Sequence, residues 1–197
     1  MASVDTPTAP SHGLSESDYE KLRSWNSTAP ECTHECLHTL VSQRAIQQPD
    51  NIAICAWDGA FTYAEFDTIT TLLARTLASR GIGRGTYVPL CMEKSKWAIV
   101  AMFAIMKTGA AFVPMDPSQP VKALCVILGE VDANFVLCSR ATEGLFMDEV
   151  NVTTVVVDAA PERSVDEDRT LPMVEPSDAA FIMFTVSMED IIKRSSS

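Results

Sequence analysis

Cys32, His34, Cys36 and His38 fall at every second position of one short stretch, and thiolate and imidazole are side chains that bind zinc. The spacing works against four converging ligands. On a helix, residues two apart point to nearly opposite sides, so only Cys32 with Cys36, or His34 with His38, share a face. Structural zinc sites usually draw their ligands from two separated pairs. The stretch therefore reads as ordinary helix cysteines with surface histidines, and no metal ligand is assigned. His12, His34 and His38 are the only histidines, all within the first 38 residues. A Ser-His-Asp or Cys-His arrangement would have to bring one of them onto a distant core with nothing to orient it. Gly81-Ile82-Gly83-Arg84-Gly85 has the composition of a phosphate-binding loop, but such a loop follows a strand and opens a helix. Here the order is helix, glycines, strand, which reads as a helix C-cap and turn. Asp148 and Glu149 fall in an expected loop and read as solvated. No catalytic residue is assigned from these patterns.

The elements that would have to position any chemistry alternate along the chain. Residues 14–25 read as a short helix capped by Ser15, with Asp18 reaching back. Residues 33–47 read as a second, ending before Pro49. A strand over 52–57, a turn at Asp58-Gly59 and a return at Phe61-Thr62 read as a hairpin. Thr62 and Glu65 fit a capping box for a helix running to about Arg80, with Phe66, Ile69, Leu73 and Leu77 on one face. Strands are expected over 87–91, 111–115, 134–139, 152–158 and 179–185, and further helices over 95–108 and 121–131. The expected fold class is therefore α/β, a layered and largely parallel sheet with flanking helices. Residues 97–106 are apolar on every side, so that helix should be deeply buried or covered by a second layer.

Composition excludes several classes of function. The 197 residues carry 26 acidic and 15 basic side chains, a net charge of −11. Nothing basic is available to neutralise phosphates, so no nucleic-acid partner is expected. The ten apolar residues 97–106 are about half of what a membrane-spanning helix requires. The N-terminus has no basic or apolar leader pattern, so a cytoplasmic protein with reduced cysteines is expected. Most of the charge lies outside the expected core: residues 1–38 and 161–178 each hold six acids against two bases. Both runs read as solvated linker.

Four blocks, in order, give a family resemblance. The first joins Cys36-Leu37-His38 with Gln48-Pro49-Asp50-Asn51-Ile52-Ala53-Ile54, and the second is Phe61-Thr62-Tyr63-Ala64-Glu65-Phe66. The third, Met106-Lys107-Thr108-Gly109-Ala110-Ala111-Phe112-Val113-Pro114-Met115-Asp116-Pro117, is the most specific. The last is Ala179-Ala180-Phe181-Ile182-Met183-Phe184-Thr185. Together they resemble the N-terminal part of a nonribosomal peptide synthetase adenylation domain, with wording around Cys91-Met92-Glu93-Lys94 closest to fungal examples. The resemblance implies the N-terminal portion of the acyl-adenylate-forming fold. It also implies a family reaction in which an amino-acid carboxylate attacks the α-phosphate of ATP, with Mg, to give aminoacyl-AMP and pyrophosphate. The acyl group then passes to a carrier thiol. By the same resemblance, residues 1–30 are a disordered tail and a condensation–adenylation linker helix, and 31–185 are the partial adenylation domain. The block around Gly109 is implied to be a structural turn rather than a substrate contact.

The pattern departs from the family where phosphates would bind. After Thr185, which is similar to the first residue of the family's phosphate loop, a glycine-rich loop ending in lysine is called for. The sequence instead reads Val186-Ser187-Met188-Glu189-Asp190-Ile191-Ile192-Lys193, and no glycine follows Gly144. Residues 186–197 thus read as an unrelated polar tail. Thr185 is the one cofactor-binding candidate, and no cofactor is expected in this fragment. A truncated, inactive adenylation domain is the expected function, with a non-catalytic interaction module or complementation by a missing C-terminal half as alternatives. Apolar surface left uncovered would favour a synthetase partner, oligomerisation or aggregation.

Overall fold

Serine or threonine three residues ahead of an acid starts two of the helices. In α1 (Glu16–Trp25), the Ser15 hydroxyl accepts the Asp18 N–H at 3.2 Å, and the Asp18 carboxylate accepts the Ser15 N–H at 3.2 Å. In α3 (Tyr63–Ser79), Thr62 and Glu65 form the same reciprocal pair, at 3.2 and 2.9 Å. Each box satisfies two amides that a helix start leaves without partners. The structure, a computed structural model, describes residues 15–28, 33–146, 152–161 and 170–184. It divides into two units, Met1–His34 and Glu35–Ser197. The first contains α1, which buries no side chain. The second contains both sheets and all the other helices among the described residues.

The helix expected over 33–47 is shorter. α2 spans Leu37–Gln47, with Cys36 extended at its N-cap (φ −71°, ψ 142°) and making no side-chain cap bond. The Cys36 thiol donates instead to the Val174 carbonyl at 3.6 Å, a tertiary contact that competes with helical continuation. Next come strands β1 (Ile52–Ala56) and β2 (Gly59–Thr62), which form an antiparallel hairpin. They are followed by α3, β3 (Tyr87–Cys91), α4 (Lys96–Lys107), β4 (Ala111–Met115), α5 (Val121–Glu130), β5 (Phe135–Cys138), a 3-10 turn at Glu143–Phe146, and β6 (Thr153–Val156). The main sheet has the order β4-β3-β5-β6 and is parallel throughout, as the alternation of helices and buried strands requires.

Side chains alternate between the two faces of this sheet, as the two-residue period of a strand dictates. Val88, Leu90, Leu137 and Val155 join Phe66, Leu73, Leu77, Val100, Ala104 and Ile105 from α3 and α4 in one core. Cys91, Val113, Met115 and Val136 join Leu124, Ile127 and Leu128 from α5, and Phe146, in the other. Phe66 and Phe103 meet edge to face at 5.1 Å, the arrangement aromatic quadrupoles favour. The expectation for residues 97–106 is met on one side only. Ala98, Val100, Ala101, Ala104, Ile105 and Met106 are buried, but Ile99 remains 39% exposed.

Of the strand expected over 179–185, the described residues 179–184 form only part. They make one parallel bridge, Phe181 with Phe112, in which Phe112 N–H donates to Ala180 O at 3.1 Å and Ile182 N–H donates to Phe112 O at 3.0 Å. The next residue of β4 that faces this segment is Pro114. Proline has no N–H to give, so the ladder stops.

In the acidic run at 161–178, the described residues Glu175 and Asp178 are not simply solvated linker. Asp178 pairs with Arg84 at 2.7 Å and Glu175 lies 3.3 Å from the same guanidinium. Arg84 belongs to the glycine turn after α3, where Gly81 and Gly85 adopt φ of +86° and +79°, the cap geometry expected of it. Asp178 also accepts the Glu175 N–H at 2.8 Å. That bond and the Arg84 charge hold its carboxyl below the ordinary range. The strap 170–180 is thereby pinned across the end of α4 before it reaches the sheet edge.

Candidate functional site

In an open parallel sheet, ligands bind at the carboxyl ends of the strands, where the loops diverge. The loops after β3 and β4 enclose a cleft of about 810 Å³ there. Leu90, Met92, Ala98, Ile99, Met102, Pro114, Met115 and Met183 give it apolar walls, and Glu93, Lys94, Ser95, Asp116 and Ser118 lie along it. The strand order reverses between β3 and β5, because β3 leads to β4 on one side and β5 leads to β6 on the other. Side chains bridge that switch point: Ser139 Oγ–H donates to the Glu93 carboxylate at 2.6 Å, and Thr142 Oγ1–H to the Cys91 carbonyl at 2.7 Å.

The charges of the cleft do not suit a triphosphate. Lys94 is accompanied by two carboxylates, Glu93 and Asp116. Asp116 accepts the Ser118 N–H at 2.9 Å; this bond, with the nearby Lys94 charge, lowers its pKa and keeps it ionised. The start of α4 opens onto the cleft, and a helix N-terminus is a natural anion site. Here two of its donors are already engaged: Lys96 N–H bonds to the Asp58 carboxylate at 3.0 Å and Ala98 N–H to Ser95 Oγ at 3.1 Å. The residues present therefore do not fit a bound nucleotide at this helix.

The cysteines and histidines singled out by the sequence do not assemble. Cys32 lies outside the described residues, His34 is exposed, and Cys36 and His38 line a small cavity of about 120 Å³ between α2, α4 and the strap. Burial, with Asp178 and Glu35 nearby, pushes the Cys36 thiol up, the reverse of an activated nucleophile. His38 is half-buried rather than on the surface, and burial together with the Lys107 charge lowers its pKa. Lys107 is itself buried and bonds to Asp67 Oδ1 at 2.7 Å, Thr71 Oγ1 at 2.8 Å and the Asp67 carbonyl at 3.1 Å. That network ties α4 to α3 and is structural. Among the described residues, no group of three or more His, Cys, Asp or Glu side chains could hold a metal ion. Thr185 and the Asp148-Glu149 pair lie outside the described residues. Sequence reasoning missed Asp58, Glu93, Ser139 and Arg84. Asp58 carries the clearest signal, a turn aspartate whose carboxylate also accepts the Lys96 N–H at the start of α4.

The profile of the AMP-binding enzyme family matches residues 41–187. Nonribosomal peptide synthetase 1 of Aspergillus fumigatus is 38% identical over 192 residues, which is 94% of this chain but 3% of that protein. Among solved structures, the nonribosomal peptide synthetase FmoA3 with α-methyl-L-serine-AMP bound superposes with a TM-score of 0.75 at 24% identity, covering 90% of this chain and 21% of FmoA3. VinN in complex with 3-methylaspartate superposes at 0.68 and 17%, covering 79% of this chain and 45% of VinN. At these identities the superpositions establish the fold, the N-terminal portion of an adenylation-type α/β domain. Among the described residues, no helix is long and apolar enough to cross a membrane.

Proposed function

The chain belongs to the AMP-binding enzyme family, and on that premise we propose that it is a part of a nonribosomal peptide synthetase adenylation domain that does not catalyse adenylation by itself. The intact family reaction would be ATP-dependent activation of an amino acid as aminoacyl-AMP, in the cytosol, for secondary-metabolite assembly. The observation that carries the proposal is the cleft at the carboxyl ends of β3 and β4. Two of its helix amides are engaged, by Asp58 and Ser95, and Glu93 and Asp116 oppose an incoming triphosphate. The sequence after Phe184 supports the same reading, because it holds no glycine to build a phosphate cradle. Thr185 would be the one remnant of that loop, with no cofactor held by this stretch. ATP–pyrophosphate exchange, run on the purified 197-residue chain with each common amino acid, is expected to stay at the level of a protein-free blank. Exchange above the blank with any amino acid overturns the proposal.

A second reading is favoured by a different observation. Ile99, Phe181 and Met183 are 39, 55 and 65% exposed, close to the same cleft and sheet edge. Apolar surface of this kind marks a partner, so the chain would act as an interaction module or as one half of a complemented enzyme.

A further inference from the structure

A second cavity, of about 500 Å³, lies at the opposite end of the sheet from the cleft, where β3 and β5 begin. Its cause is in the sequence. Ala111 N–H of β4 donates to Thr86 O, and along a parallel strand successive residues turn their backbone groups to alternate neighbours. Thr86, Val88 and Leu90 therefore face β4, whereas Tyr87, Pro89 and Cys91 face β5. Pro89 has no N–H for the Phe135 carbonyl to accept. β3 pairs with β4 from Tyr87 to Cys91, but with β5 only at Leu90–Leu137 and Cys91–Cys138. Toward their N-termini the two strands part, and Tyr87, Val88, Asn134 and Phe135 line the gap.

The gap is apolar inside and charged at its mouth. Ile82, Val88 and Val131 are buried in its walls, and Tyr87 and Phe135 add aromatic surface. Arg80 and Asp132 also line it, opposite in charge and both exposed. Among the described residues neither side chain makes an ion pair, with the other or with any neighbour. α3 ends at Ser79 with Arg80 as its cap, and α5 ends at Glu130 with Val131 as its cap. Two helix C-termini thus meet at the cavity, and their carbonyl ends favour a cation. The volume falls within the range of small-molecule sites, about 300–1,000 Å³. We infer that this cavity binds a small zwitterion with an apolar body, an α-amino acid carrying an aromatic or branched side chain. The ammonium sits by Asp132, the helix ends and the Phe135 carbonyl. The carboxylate takes the Arg80 guanidinium, whose paired donors match it, and the side chain fills the gap beside Tyr87 and Val88. A simple cation would leave Arg80 unanswered, and a simple anion would face Asp132 and both helix ends. Binding here uses none of the cleft's residues and is independent of adenylation.

Isothermal titration of the 197-residue chain with L-phenylalanine, phenethylamine and 3-phenylpropionate tests each charge, because each analogue lacks one of the two. L-phenylalanine is expected to bind one molecule per chain, and each analogue to bind roughly tenfold or more weakly. Arg80→Gln and Asp132→Asn should each weaken L-phenylalanine by roughly the same factor. Asparagine tolerates the left-handed backbone that Asp132 occupies, at φ +49°, and both side chains are exposed, so these variants keep the fold. Ile99→Glu, in the cleft, should change binding less than about twofold. No saturable heat up to about 10 mM L-phenylalanine, equal binding of either analogue, or binding indifferent to both Arg80→Gln and Asp132→Asn would each overturn the inference. Binding lost in Ile99→Glu but kept in Arg80→Gln would put the amino acid in the cleft and overturn it equally. Pyrophosphate exchange by the chain alone would overturn the functional proposal while leaving this titration readable.

Discussion

Gly109 follows α4 at φ +79°, and a Cβ placed there would meet Arg84 Cγ at 2.7 Å and Val174 Cγ2 at 3.5 Å. Gly109→Ala therefore carries two separable costs. Holding an L-residue in the left-handed region costs about 1–2 kcal/mol. The second cost is steric. Cγ lies in the stem of Arg84, so relieving the contact moves the guanidinium away from Asp178 and Glu175. Those pairs lie at the surface, where solvent screens them, so their loss adds modestly to the steric cost. Gly109→Ala should therefore lose more than the backbone cost alone, about 1–2 kcal/mol. Gly81→Ala supplies the reference, because Gly81 has φ +86° but open space where its Cβ would go. It should cost only the backbone part, about 1–2 kcal/mol. Gly129→Ala, in α5 with open space around it and no positive φ, should instead stabilise by about 0.5 kcal/mol. Urea unfolding followed by circular dichroism measures all three from shifts in midpoint at constant slope. If Gly109→Ala and Gly81→Ala lose the same stability, within about 0.3 kcal/mol, the strap is not pressed against Gly109 and the reasoning is refuted.

Two further outcomes follow from buried titratable groups. Burial and Lys107 lower the pKa of His38 in the folded chain, so below about pH 6.5 the unfolded chain binds the extra proton more readily. His38 should therefore cost stability as pH falls from 7 through 6.5 toward its folded pKa. His38→Gln should flatten that part of the urea-midpoint profile; an unchanged slope between pH 7 and 5 would count against it. Burial pushes the Cys91 thiol up to about 12 and the Cys138 thiol up to about 11, whereas Cys55 is exposed. Iodoacetamide at pH 8 should modify Cys55 and spare Cys91 and Cys138 until urea is added, as read by peptide mass spectrometry. Equal labelling of all three in the native chain would contradict the burial.

Elements whose signals are local were legible in the sequence. The Ser15–Asp18 and Thr62–Glu65 boxes, the five residues of β3 and β4, and the cap at Gly81 depend on neighbours within a few positions, and each formed where expected. Long-range contacts defeated the same reasoning. Cys36 leaves the helix for a carbonyl 138 residues away, and Glu175 and Asp178 read as linker charge because Arg84 is some 90 positions distant. The cleft was invisible for a similar reason. Its residues come from three separate segments that meet only after β3 and β4 pair. The exposed strip on α4 was half legible: a helix apolar all round implies cover, but periodicity cannot say whether this chain supplies it.

Pro114 links the shape of the fold to the surface it leaves open. In β4 it sits between Val113 and Met115, which face the α5 core, so its own side faces the cleft beside α4. Its missing N–H also stops the ladder to residues 180–184 after a single bridge. One residue thus lines the apolar cleft and loosens the edge strand next to it. A strand tied to β4 by a single bridge contributes little stability of its own, and Arg84 holds its approach through Asp178. The same arrangement explains how the parallel sheet can be complete from β4 to β6 while the edge beyond β4 is not. Both cores close around β3 and β5, and Ile182 and Phe184 reach from the loosely paired edge to pack against the α5 core, so side-chain burial rather than the backbone ladder holds this segment.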